Sequence, residues 1–174
     1  MGKEAAGIDE VWIHPFRVLR DFEVGIIQAD SIAWLKNFPA RIEVRPESFC
    51  RIYQLADGSL SEIIVPAFHL PGAIVHYYWQ DSHPLQLVIK YRSDLRWMWP
   101  YDEKAIGNVG YGYDPNLQAL HVRDSQGDLY GVLGADGKPL STLSGPFADI
   151  LWSGEKFEGI PSDQNQVYHA SLYQ

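Results

Sequence analysis

Asp94, Asp102, Glu103 and Asp114 flank the densest aromatic run in the chain, Asp94-Leu95-Arg96-Trp97-Met98-Trp99-Pro100-Tyr101. Two carboxyls held ~5 to 10 Å apart across a sugar ring are the machinery of glycoside hydrolysis. Trp and Tyr rings, in turn, stack on the C–H faces of sugars. Trp97, Trp99, Tyr101, Tyr111 and Tyr113, rimmed by Arg96, Asp94 and Asp114, therefore make a chemically coherent carbohydrate surface. The same rings equally suit a sandwich core or an interface with a neighbouring domain. Asp102 and Glu103 stand in a turn-like Pro-Tyr-Asp-Glu-Lys sequence, where acidic residues are favoured for solvation and local hydrogen bonding. No catalytic residue is assigned on these grounds. Arg96, with its forked guanidinium, is expected to pair with Asp94 or with a buried carboxylate across the sheet.

Other chemistries find no support. There is no nucleophile elbow, no phosphate-binding P-loop, no zinc-protease His pair on a helix and no EF-hand loop. Gly107, Gly110 and Gly112 lie between aromatic residues with no amphipathic helix after them, so a dinucleotide site is rejected. The six histidines are scattered, and His76 with His83 is the one pair expected to approach across a hairpin; two ligands without a third do not make a metal site. Cys50, the single cysteine, reads as a small buried residue without an activating histidine. Neither a metal nor a cofactor is expected.

The elements that must position these residues are strands. Period-two patterns run through Phe22, Val24 and Ile26, Ile42 and Val44, Phe49 with Arg51 and Tyr53, Ala73 to Trp79, and Leu85 to Tyr91. Turn sequences such as Asp57-Gly58-Ser59, Pro71-Gly72 and Gln126-Gly127-Asp128 separate them. Leu120 and Val122, then Leu129, Gly131 and Leu133, form a hairpin across Asp124 to Asp128. The expected fold is all-β, an antiparallel β-sandwich with minimal helix, as one domain over residues 1–174 with a flexible start at 1–10. The sole helix-like segment, Ser31 to Asn37, runs into Pro39 and makes at most one or two turns. In the aromatic run an extended backbone would put Leu95, Trp97 and Trp99 on one face, and Arg96 and Met98 on the other. Tyr77, Tyr78 and Trp79 read as core and sheet surface. Residues 166–173 alternate as a final strand, expected at a sheet edge.

Composition bounds the partners. Hydrophobic residues are 46% and charged residues 21% of 174, the balance of a globular domain. A net charge of −8 with no cluster of Lys and Arg argues against nucleic acid and against anionic membrane surfaces. The first residues lack the apolar region of a signal peptide, which places the chain in the cytoplasm if Met1 is its native start and in the periplasm if a signal was removed.

The aromatic run, followed by Gly110-Tyr111-Gly112-Tyr113-Asp114-Pro115, resembles the N-terminal β-sandwich of bacterial six-hairpin glycosidases of the glycogen-debranching and glucoamylase type. Further segments resemble it in the same order: Trp12-Ile13-His14-Pro15-Phe16-Arg17, Phe22-Glu23-Val24-Gly25-Ile26, Asn37-Phe38-Pro39-Ala40, Arg51 to Ser59, and Leu129 to Gly134. The resemblance implies a galactose-mutarotase-like supersandwich that precedes an (α/α)6 toroid carrying the catalytic carboxylates. No such toroid lies in this chain, so no catalytic residue carries over. The implied role is a non-catalytic domain that packs on a helical catalytic domain of the same polypeptide and contributes to an oligosaccharide cleft. The alternative is a stand-alone carbohydrate-binding or mutarotase-like sandwich. A bare interdomain surface would also let the isolated fragment form a homodimer, through the aromatic face or the terminal strand.

Overall fold

A computed structural model describes residues 7–98 and 108–174. Among these the fold is all-β, with sixteen strands and a single 3-10 turn at Leu35–Asn37. The alternating segments pair antiparallel throughout, as their period of two requires.

A seven-stranded sheet forms the centre. Its path is β1 (Ile8–Ile13), β2 (Phe16–Gln28), β8 (Leu87–Ser93), β16 (Val167–Tyr173) and β13 (Ser141–Gly145), with β3 (Ser31–Trp34) and β9 (Arg96–Trp97) also pairing with β2. Two sheets cover one face. A four-stranded sheet, β4 (Ala40–Arg45), β5 (Ser48–Gln54), β6 (Ser59–Pro66) and β7 (Ala73–Gln80), packs through Val24, Ile26, Leu35, Tyr53 and Leu60. A three-stranded sheet, β10 (Gly110–Asp114), β11 (Ala119–Arg123) and β12 (Tyr130–Gly134), packs beside it through Leu19, Tyr91, Leu95, Leu120, Val122 and Val167. Phe22 and Ile89 touch both clusters and join them into one layer. The other face of the central sheet carries the hairpin β14 (Phe147–Trp152) and β15 (Phe157–Pro161), seated on Val88, Tyr168, Ala170 and Leu172. The architecture is thus a layered antiparallel sandwich.

Two bulges in β2 decide which side chains face which way. Val11 pairs with Leu19 and Trp12 with Arg17, so Val18 is an extra residue. Arg20 pairs with Arg92 and Glu23 with Lys90, so one more residue is inserted at Asp21–Phe22. Asp21 takes a left-handed backbone, φ 50, which Asp tolerates better than most residues. Each insertion flips the alternation. As a result Arg17, Arg20 and Glu23, three apart rather than two, all meet partners on the face that carries β14 and β15. The buried hydroxyl of Ser93 donates to the Val18 carbonyl, supplying the bulge with a partner.

Three expectations change. Ser31–Trp34 is a strand, and only Leu35–Asn37 turns helically. A tight turn at Ala29 and Asp30, both at positive φ, folds this segment back on β2, and Gly25 leaves room for it. A Cβ at Gly25 would lie 2.4 Å from Ile32 and 3.1 Å from the Trp34 ring. Ile8 to Glu10, expected in a flexible start, open β1 instead, and Ile8 is buried. The terminal strand β16 is interior rather than an edge, paired with β8 on one side and β13 on the other. Exchange of that strand between two copies would have to break both of these ladders.

Candidate functional site

Of the aromatic run, Asp94 to Met98 fall within the described residues; Trp99 and Tyr101, like Asp102 and Glu103, lie outside them. The segment is not one continuous extended strand. Leu95 has φ 45, and only Arg96 and Trp97 pair with β2. Even so, Leu95 is fully buried in the core that joins the central and three-stranded sheets, and Trp97 packs against the same cluster. Trp97 meets Phe16, its cross-strand partner, edge to face at 6.5 Å between centroids.

Asp94 turns to the opposite face. Arg17 grips it with two hydrogen bonds, Nε to Oδ1 at 3.1 Å and a shorter one to Oδ2, and Arg20 donates to Oδ2 at 3.2 Å. The carboxylate expected to pair with Arg96 is therefore held by two arginines of β2. Arg96 itself sits beside Arg17 in register, and Trp12 of β1 is the next residue in that row. The Arg17 guanidinium lies 5.6 Å from the Trp12 ring centre.

These contacts belong to a longer chain of charges. Trp12 donates its indole N–H to Glu10, which also accepts from Arg17. The Trp12 bond, aided by Arg17, holds the Glu10 carboxyl below its ordinary range against the opposing effect of burial. Beyond Asp94 the chain runs through Arg20 and Asp21 to Arg92, which donates to Gln166 at 3.1 Å. Nearer the hairpin, Lys90 reaches Asp149 at 2.8 Å and stands 4.8 Å from the Trp34 ring centre. Opposite charges alternate along the whole strip, so its potential is largely cancelled within the fold. Such a strip fastens strands.

Tyr111 and Tyr113 lie on β10, apart from Trp97 in the sheet order. Tyr111 is 44% exposed. Tyr113 stacks at 5.8 Å on His169, whose other neighbour is Tyr91 at 5.0 Å. His169 is buried, with Ser144 Oγ 2.8 Å from Nδ1 and Ser171 Oγ bonded to Nε2. Burial pushes its pKa down to about 4, so the ring is neutral over the physiological range. Asp114 accepts from the backbone N–H groups of Asn116 and Leu117 at 2.8 and 3.3 Å, which makes it a turn residue. The predicted residues therefore divide: Asp94, Leu95, Trp97 and Tyr113 are built into the framework, Asp114 shapes a turn, and Tyr111 alone of the described aromatics in the set is largely open.

No protein-family model and no curated protein matches this chain. The site is therefore read from its geometry. Among the described residues no group of three His, Cys, Asp or Glu side chains could hold a metal ion. His83 has Nδ1 2.9 Å from Asp81 Oδ1. Cys50 is half-buried on β5, and burial raises its thiol pKa, the reverse of an activated nucleophile.

Period-two reading missed the residues that hold the strip. Arg17, Arg20 and Glu23 are three apart, a spacing that in an unbroken strand would scatter them over both faces. It also missed the fully buried Arg51–Glu62 pair inside the four-stranded sheet, where Tyr77 donates its hydroxyl to Glu62 at 2.8 Å. The alternation Phe49, Arg51, Tyr53 carried the signal, since Arg51 occupies an inward position.

Proposed function

We propose that this chain is a non-catalytic β-sandwich domain of a carbohydrate-active enzyme of the glycogen-debranching type, which packs on a helical catalytic domain of the same polypeptide. The observation that carries the reading is the fate of Asp94, Leu95 and Trp97. These residues bear the most specific part of the sequence resemblance, and each is occupied in holding the fold together: Asp94 binds Arg17 and Arg20 of β2, Leu95 fills the core between two sheets, and Trp97 packs on Phe16, its cross-strand partner. A motif spent in this way suits a framework better than an active centre.

Exposed apolar side chains fit the same reading. Phe68 and Leu70 at the tip of the β6–β7 hairpin are each 74% exposed, and Ile74 beside them 65%. Large apolar groups gathered at one exposed tip are a feature of surfaces that meet another domain. The contribution to substrate binding is secondary, an oligosaccharide contact at the domain's rim.

An antibody raised against these 174 residues tests the proposal on extracts of the native producer. The expected antigen is a polypeptide several times this length that co-fractionates with α-glucan-cleaving activity. A native antigen of about this chain's own size, free of that activity, overturns it.

A further inference from the structure

An open cleft of about 260 Å³ lies where the end of β2 meets the four-stranded sheet. Gln28 at the end of β2, Asp57 in the β5–β6 turn, Trp79 near the end of β7, Leu85 and Gln86 in the following loop, and Gln174 line it. None of these belongs to the aromatic run or to the charge strip.

The chemistry of the lining is selective. Gln28, Gln86 and Gln174 offer amides that both donate and accept, and Asp57 offers an acceptor. No lysine or arginine lines the cleft; the one basic group is His83, whose Nδ1 is 2.9 Å from Asp81 Oδ1, and Asp57 adds negative charge, so the lining favours a neutral ligand over a phosphate or a carboxylate. Leu85 and the indole of Trp79 supply apolar surface beside these polar groups. The indole is fixed before any ligand arrives: its N–H donates to the His83 carbonyl at 2.8 Å, and a Cβ at Gly58 would lie 2.7 Å from its ring. A ring held by its own fold loses little entropy on binding. The volume falls below the ~300–1,000 Å³ of sites for drug-sized ligands, so the occupant is small.

We infer that this cleft binds a single unit of a neutral sugar, with the apolar face of the ring against Trp79 and its hydroxyls on Gln28, Asp57 and Gln86. The choice of a sugar over another neutral polyol rests on the function proposed above. The cleft would then be an accessory subsite that holds glucan chain on the sandwich while cleavage takes place elsewhere.

Amide and indole NMR shifts of the purified chain, titrated with maltose and with glucose 6-phosphate, test the inference. Maltose is expected to move the signals of Gln28, Asp57, Gln86 and the Trp79 indole in a saturable manner, and glucose 6-phosphate to bind no more tightly. The double substitution Gln28→Ala with Asp57→Ala, at two exposed positions, should leave the remaining spectrum folded and weaken maltose by about tenfold or more. No saturable shift with maltose, shifts centred on Tyr111 instead, or a double variant that binds like the parent would each overturn it. The two proposals fail separately: a large native glucan-cleaving protein without this binding removes only the cleft, and binding by a native protein of this size removes only the domain reading.

Discussion

Arg17 and Asp94 stand 77 positions apart in the chain and meet through two parallel side-chain hydrogen bonds, with the guanidinium 4% and the carboxylate 11% exposed. The bond ties the segment leaving β8 to the start of β2, across the point where β2 bulges. A forked guanidinium on a carboxylate fixes direction as well as distance. Asp94→Ala is expected to destabilise the fold by roughly 3 to 5 kcal/mol, because it leaves a buried cation with its main partner removed. The double substitution Arg17→Met with Asp94→Leu should recover most of that loss. Urea unfolding midpoints decide; equal instability of the single and double variants would mean that the pair is needed for itself.

The aromatic run and its surroundings should respond unequally to truncation. Leu95→Ala empties a fully buried site and should cost roughly 2 to 5 kcal/mol. Tyr111→Ala, at a position 44% exposed, should cost under about 1 kcal/mol. Similar losses at both positions would show that β10 is packed as tightly as the core.

His169 should make the protein acid-labile. Its pKa lies near 6.5 unfolded and about 4 folded, so below 6.5 the unfolded chain binds the proton more readily. Stability from this group is complete above 6.5 and falls as the pH drops towards 4, by about 3 kcal/mol in all. His169→Gln should flatten that part of the profile. A slope between pH 6.5 and 4 that is the same in both proteins would assign the acid sensitivity to other groups.

Glu62 offers a fourth test. It is fully buried against Arg51 and accepts from Tyr77. Glu62→Ala should cost roughly 3 to 5 kcal/mol, whereas Tyr77→Phe, which removes one hydrogen bond, should cost about 1 to 3 kcal/mol. Thermal melts of the two variants should rank in that order, and the reverse order would place the weight of the network on the tyrosine.

Period-two alternation was enough to read Phe22, Val24 and Ile26, the β5 triplet Phe49, Arg51 and Tyr53, and the β11–β12 hairpin, and hence the all-β sandwich. It works there because each strand has one buried face, and burial writes itself into every second residue. Leu95 and Trp97 do share the core, but through a backbone turn at Leu95, φ 45, that alternation does not describe.

Tertiary structure decided the rest. Whether Ser31 to Trp34 would coil or pair depended on a glycine in another strand, since Gly25 makes the space that Ile32 and Trp34 need. The partners of Asp94 depended on bulges in β2, and a one-residue insertion leaves no mark in local composition while reversing every side chain beyond it. The interior place of β16 depended on β8 and β13, because a strand's own residues specify its faces but not how many neighbours its edges find. The cleft at Trp79 is likewise assembled from five separate stretches of chain, so no window of sequence contains it.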